Sequence, residues 1–106
     1  MNKIIQFNSF GTIFNKLVNQ SKNDLTNVNV EFYHHNFQNE PFLHIEASVE
    51  NISIEEVDEY GKIISILTSE TTLSFSENNY HANLSNDDVV FSSKNDDETY
   101  CIISFI

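Results

Sequence analysis

The hydrophobic period changes between FGTIFNKLV, residues 10–18, and VNVEFY, residues 28–33. In the first segment the apolar residues recur at i, i+3, i+4, i+7 and i+8, the spacing of one helix face. In the second, Val28, Val30 and Phe32 alternate with polar residues, which is the period of a half-buried β-strand. The chain is therefore predicted to begin with an amphipathic helix and to continue with strands.

Polar residues on both sides of the first segment define the ends of this helix. Asn8 or Ser9 is the predicted N-cap, because a short polar side chain there accepts a hydrogen bond from the first helical turn. The run from Ser21 to Asp24 is the predicted stop. Residues 1–7 either extend the helix or form a short edge strand, and the sequence does not decide between the two.

Alternating or β-branched segments follow the first strand. Leu43, Ile45, Ala47 and Val49 alternate with polar residues and predict a hairpin partner across the polar loop 36–41. Further strands are predicted at 62–68, 71–76, 89–93 and 99–106, with a polar loop at 77–87 and an Asx-rich turn at 94–97.

Residues 52–61 carry two conflicting signals. Ser53 followed by Glu56 is a capping-box pattern, which favours a one-turn helix over 54–60. The tetrapeptide 58–61, Asp-Glu-Tyr-Gly, instead resembles a hairpin turn. We favour the turn because Ile52 and Ile54 prolong the alternation of the preceding strand.

The predicted fold is one α+β domain covering residues 1–106, in which an N-terminal helix packs on an antiparallel sheet of about six short strands. The last strand is apolar on both faces toward its end. This pattern predicts either a central place in the sheet or burial against the helix.

Charge restricts the partners of this protein. Sixteen acidic residues face five lysines and no arginine, for a formal charge of -11 and a pI near 4.4. Nucleic acids and anionic lipids bind through Lys and Arg, so both are predicted not to be partners. A negative field favours fast, salt-sensitive association with a basic protein surface. The alternative is that the charge only keeps the protein soluble.

Cysteine usage and hydropathy indicate a cytoplasmic protein. Cys101 is the only cysteine, so no intramolecular disulfide forms. The N-terminus lacks the features of a secretory signal, and no apolar stretch approaches the length of a membrane span.

Catalytic and cofactor chemistry is hard to place on this sequence. Gly11 and Gly61 are the only glycines, so no Gly-rich loop is present to hold a phosphate or a dinucleotide. Cys101 lies in a predicted strand, where a thiol usually acts as a small core residue. We therefore predict a non-enzymatic protein without a cofactor or a metal.

Histidine and aromatic residues mark a first candidate site. If the first hairpin aligns its apolar faces, Tyr33, His35, Phe42 and His44 share the outward face. This patch is either an interaction surface or a surface covered by another part of the chain. His34 and His35 point to opposite faces and do not share a metal.

Carboxylates form the second set of candidate residues. They occur in three clusters in predicted turns or strand ends: Glu55, Glu56, Asp58 and Glu59 beside Tyr60; Asp87 and Asp88; and Asp96, Asp97 and Glu98. Each cluster is either a solvated turn or a surface that pairs with Lys and Arg of a partner. No Asp-x-Asp-x-Asp-Gly loop supports calcium binding.

Together these features predict a small inhibitor that occludes a basic, nucleic-acid-acting enzyme, most concretely an immunity protein against a bacterial nuclease toxin. That expectation rests on size, acidity and the lack of a cofactor signature. Two alternatives remain open. One is a phage anti-defence protein, such as an anti-CRISPR that imitates DNA; the other is a non-inhibitory module that dimerises through an edge strand.

Overall fold

A computed structural model describes most of the chain, namely residues 7–21, 26–34, 40–41, 43–59, 61–85, 87–95 and 99–106. Its elements are one helix and seven strands: α1 (Phe10–Gln20), β1 (Asn27–His34), β2 (Leu43–Val57), β3 (Gly61–Thr68), β4 (Thr72–Ser76), β5 (Tyr80–Ser85), β6 (Asp88–Ser93) and β7 (Thr99–Phe105). The predicted α+β class and antiparallel sheet are confirmed. The predicted number of about six strands is wrong.

Helix α1 begins and ends close to the predicted positions. The Ser9 side chain accepts a hydrogen bond from the Thr12 backbone N–H at 3.2 Å and is the N-cap. At the other end the Ser21 N–H donates to the carbonyls of Leu17 and Val18. The helix buries its apolar stripe in the core of the domain.

The additional strand is β5, which lies inside the predicted loop 77–87. Asn and Ser are frequent in this stretch and favour turns, yet Tyr80, Ala82 and Leu84 keep the period of a strand. These three residues face the core, and Ala82 is fully buried. Pairing with β6 stabilises an extended backbone that local propensity alone does not favour.

Strand β2 contains a bulge, which keeps the apolar side chains on both sides of it facing the core along the whole length of the strand. The register with β3 shifts between Val49 and Asn51. That shift moves the inward positions from odd to even numbers, so Ile52 and Ile54 stay on the core side. The predicted turn, rather than the one-turn helix, connects β2 and β3, and Gly61 adopts φ 70° there.

The strands follow the order β4-β3-β2-β1-β7-β6-β5 and curl into a half-barrel. Every pair of consecutive strands is hydrogen-bonded except β4 and β5, and β1 pairs with β7. All pairings are antiparallel, so β4 and β5 run in the same sense along the sheet. The connection 77–79 is therefore a corner between the two sheet edges, not a hairpin. Strand β7 is internal in the sheet, as predicted.

The concave, inner face of the sheet holds the core. Helix α1 packs against β2, β3 and β5 on this face. Near the open seam the Phe91 ring stacks on Phe75 at 4.0 Å between centroids and meets Phe10 edge-on at 5.8 Å. These three rings join β6, β4 and α1, so they hold the curled sheet to its helix.

A short segment before α1 covers part of the β5 edge. The Asn8 N–H donates to the Ala82 carbonyl at 2.8 Å, and the Asn8 side-chain oxygen accepts from the Leu84 N–H at 3.1 Å. The neighbouring Phe7 reaches the outer face of the sheet, where its ring stacks on His81.

Candidate functional site

The acidic cluster at the β2–β3 connection is divided between two faces. Glu55 lies opposite Ile63 and Glu56 lies opposite Lys62, so consecutive side chains point to opposite sides of the sheet. Asp58 and Glu59 occupy the turn itself. All four carboxylates are exposed, whereas Tyr60 lies outside the described residues.

Side-chain and backbone bonds fix the turn that carries Asp58 and Glu59. The Asn78 amide donates to the Glu59 carbonyl, and the Glu77 N–H donates to the Lys62 carbonyl at 2.8 Å. We call Asp58, Glu59 and Glu77 the acidic corner. Asp58 and Glu59 lie in the β2–β3 turn, and Glu77 lies in the β4–β5 connection, where its carboxylate accepts a hydrogen bond from the Lys62 N–H at 3.3 Å.

A third connection reaches this acidic corner. The Lys94 ammonium donates to the Glu77 carbonyl at 2.8 Å, so the end of β6 is bound to the corner. The predicted cluster that follows, Asp96, Asp97 and Glu98, lies outside the described residues.

Asp87 and Asp88 have different surroundings from the acidic corner. The Asp87 carboxylate is 3.8 Å from the Lys16 ammonium on α1, and its side chain is 92% exposed. Such an exposed pair contributes little to stability, because water and salt screen it. Asp88 lies on the outer face of β6, opposite Ser85. Among the described residues, the first predicted cluster thus lies at the β2–β3 connection and the second at the β5–β6 connection.

The first hairpin places its predicted patch on the outer face of the sheet. His44 is exposed, lies opposite Glu31, and its ring contacts the Asn29 side chain. Tyr33 stacks on Tyr100 of β7, with 5.1 Å between ring centroids and 10° between planes. The other two predicted members, His35 and Phe42, lie outside the described residues.

Tyr33 belongs to a row of side chains that crosses four strands at one level. Tyr33 is opposite Tyr100, Tyr100 is opposite Ser92, and Ser92 is opposite His81. The small Ser92 thus separates two aromatic pairs, Tyr33–Tyr100 on one side and Phe7–His81 on the other. The Phe7–His81 pair is stacked at 4.0 Å with 9° between its planes.

A groove of about 540 Å³ lies between these two aromatic pairs. Side chains of β5 and β6, including Asn83, Val90 and Ser92, line it, and hydroxyls of Ser and Thr supply much of its polar surface. This volume is within the usual range for ligand sites. Sequence reasoning missed the groove because it did not predict β5. The alternation of Tyr80, Ala82 and Leu84 was the signal for that strand.

Two carboxylates lie near the groove without lining it. Glu31 is next to Tyr33 on the outer face of β1. Burial raises the pKa of the Tyr33 hydroxyl, and the Glu31 carboxylate raises this pKa further through its charge and by accepting the hydroxyl hydrogen bond. Asp88 lies at the opposite end, beside Ser85. The groove itself therefore offers aromatic faces and hydroxyls, and the nearby negative charge lies outside its lining.

The groove has the composition of a binding site. Cys101 is buried on the inner face, and burial raises the pKa of its thiol to about 12, so it is not an activated nucleophile. Among the described residues, no three His, Cys, Asp or Glu side chains are grouped as metal ligands would be. The aromatic faces of the groove suit flat or cationic groups.

No protein-family model, curated protein or solved structure matches this chain. Within the described ranges, the helix is too short and too polar to cross a bilayer.

Proposed function

We propose that this chain is a small acidic inhibitor that binds and occludes a basic, nucleic-acid-acting enzyme, most concretely an immunity protein that neutralises a cognate bacterial nuclease toxin. The observation that supports it is the placement of the charge. Every described Asp and Glu is exposed or half-buried, and the chain carries a formal charge of -11. Such a surface attracts the Lys and Arg of a nucleic-acid-binding cleft.

The described lysines neutralise little of this field. Lys16 approaches the exposed Asp87, Lys62 lies opposite Glu56, and the Lys94 ammonium donates to a backbone carbonyl. The other described carboxylates project from strands, turns and bends. Binding through them costs less conformational entropy than binding through a flexible acidic tail.

The outer face supplies the less polar part of the proposed interface. Aromatic residues concentrate binding energy, because they bury a large area and lose few rotamers. The Tyr33–Tyr100 pair is the best candidate for this role, since it is stacked, half-buried and next to the Glu31 carboxylate.

Capture of the partner from the native host, followed by an activity assay, tests the proposal. We expect the captured protein to be basic and to cleave nucleic acid, and we expect an equimolar amount of this chain to block that cleavage. A partner that is not basic, or whose activity persists at saturating inhibitor, would contradict the proposal. A DNA-recognising defence complex as the partner would instead favour the anti-CRISPR alternative.

Charge variants at the two ends of β3 test the acidic corner in the same complex. The variant Asp58→Asn/Glu59→Gln removes two charges from the corner, and Glu50→Gln/Glu70→Gln removes two from the opposite end. Both should slow association at low salt, because both weaken the long-range field. Only the corner variant should also speed dissociation. Rates that are unchanged in both variants would argue against electrostatic binding.

A further inference from the structure

We propose that the groove between the Phe7–His81 and Tyr33–Tyr100 pairs binds the guanidinium group of an arginine side chain from a basic polypeptide. This inference deepens the proposed function and rests on it for the identity of the partner. The chemistry of the groove, however, is argued from its own geometry and charge.

The width of the groove suits a planar group. His81 and Tyr100 are two strands apart with Ser92 between them, and adjacent strands are spaced so that this separation is about 10 Å. The residues that line it run from the level of Ser93 to that of Ser85, about 17 Å along the strands. A long side chain and the backbone that carries it fit these dimensions.

The charge around the groove selects a cation. Asp88 lies opposite Ser85, which lines the far end of the groove, Glu31 lies beside Tyr33 outside the lining, and the whole chain carries -11. A guanidinium stacks on aromatic faces while its five N–H groups donate to carboxylates and hydroxyls. A lysine ammonium lacks the flat face, and a phosphate-bearing nucleotide is repelled by the same carboxylates.

The test is an NMR titration of the full chain with the peptide acetyl-Gly-Arg-Gly-amide at constant ionic strength. Matched peptides carry lysine or citrulline, because citrulline keeps the shape of arginine and removes its charge. We expect saturable shifts confined to the groove and an affinity for arginine at least about fivefold above that for citrulline. Adenosine, a flat neutral probe, should bind no better than citrulline.

Three variants locate the binding. Tyr100→Leu should weaken the arginine peptide about fivefold by removing an aromatic face. Ser92→Leu should abolish binding by filling the gap, and it keeps the aromatic pairs. Leu67→Ala, on the outer face of β3 and 42% exposed in the native chain, is the control and should change nothing.

Several results would overturn the assignment. They are equal binding of citrulline or adenosine, shifts centred on the acidic corner, and full peptide binding by folded Ser92→Leu. If the peptide fails while the captured partner still binds in a salt-dependent manner, the groove assignment is wrong and the proposed function stands. If the peptide binds in the groove but the captured partner is not an enzyme that this chain inhibits, the groove assignment stands and the proposed function is wrong.

Discussion

Removal of the Phe91 ring should destabilise the domain by about 4 kcal/mol. The side chain is fully buried, stacks on Phe75 at 4.0 Å and meets Phe10 edge-on at 5.8 Å. Truncation of a buried Phe to Ala typically costs about 3–5 kcal/mol, and loss of two ring contacts places Phe91→Ala in the middle of that range or above it. Small domains are stable by only about 5–15 kcal/mol.

Urea denaturation followed by circular dichroism measures this effect. With an m-value near 2 kcal/mol/M, the midpoint should fall by about 2 M. Leu67→Ala on the outer face is the control and should cost less than about 1 kcal/mol. A loss below about 2 kcal/mol for Phe91→Ala would mean that the seam between β4, β6 and α1 is not packed as described.

A double-mutant cycle with Phe75→Ala isolates the stacking contact. Because the two rings share one site, the combined loss should be smaller than the sum of the single losses by about 1 kcal/mol. Strict additivity would show that the two rings do not touch in solution.

Three further perturbations test local features of the fold. Ser9→Ala should lower stability by about 1 kcal/mol, and Ser9→Asn should restore most of it, in thermal denaturation. Gly61→Ala should cost about 1–3 kcal/mol, because φ is 70° and a Cβ would lie 2.7 Å from a Glu77 oxygen. Gly11→Ala in α1 places a Cβ 4.0 Å from the Ser9 Oγ, an ordinary contact, and should not destabilise; equal effects of the two substitutions would contradict this. The Cys101 thiol should react with a neutral thiol reagent at pH 8 far more slowly in native protein than in urea, since its pKa is about 12 when folded; comparable rates would show that it is accessible.

Local pattern in the sequence was sufficient to predict α1 and most of the strands. Ser9 and the apolar stripe of α1 act within a few residues of each other, so tertiary structure was not needed to find the helix. Strand β5 was predicted as a loop, because Asn83 and its polar neighbours favour turns. Its pairing with β6 outweighs that preference.

The candidate site was less predictable, because it depends on pairings between distant parts of the chain. The shared outward face of Tyr33 and His44 followed from one hairpin. The contact of Tyr33 with Tyr100 needs the β1–β7 pairing, and the Phe7–His81 stack needs the segment before α1 to lie along β5. Neither pairing leaves a local signal in the sequence.

The internal position of β7 has a consequence for how the protein is made. Strand β1 exits the ribosome early, but its neighbour on one side, β7, is synthesised about 70 residues later. Until Thr99–Phe105 has emerged, the nascent chain cannot join β1 to β6, and loop closure over such a span is slow. The native sheet is therefore acquired only after this strand has emerged, and a ribosome stalled before this strand should hold a protease-sensitive chain.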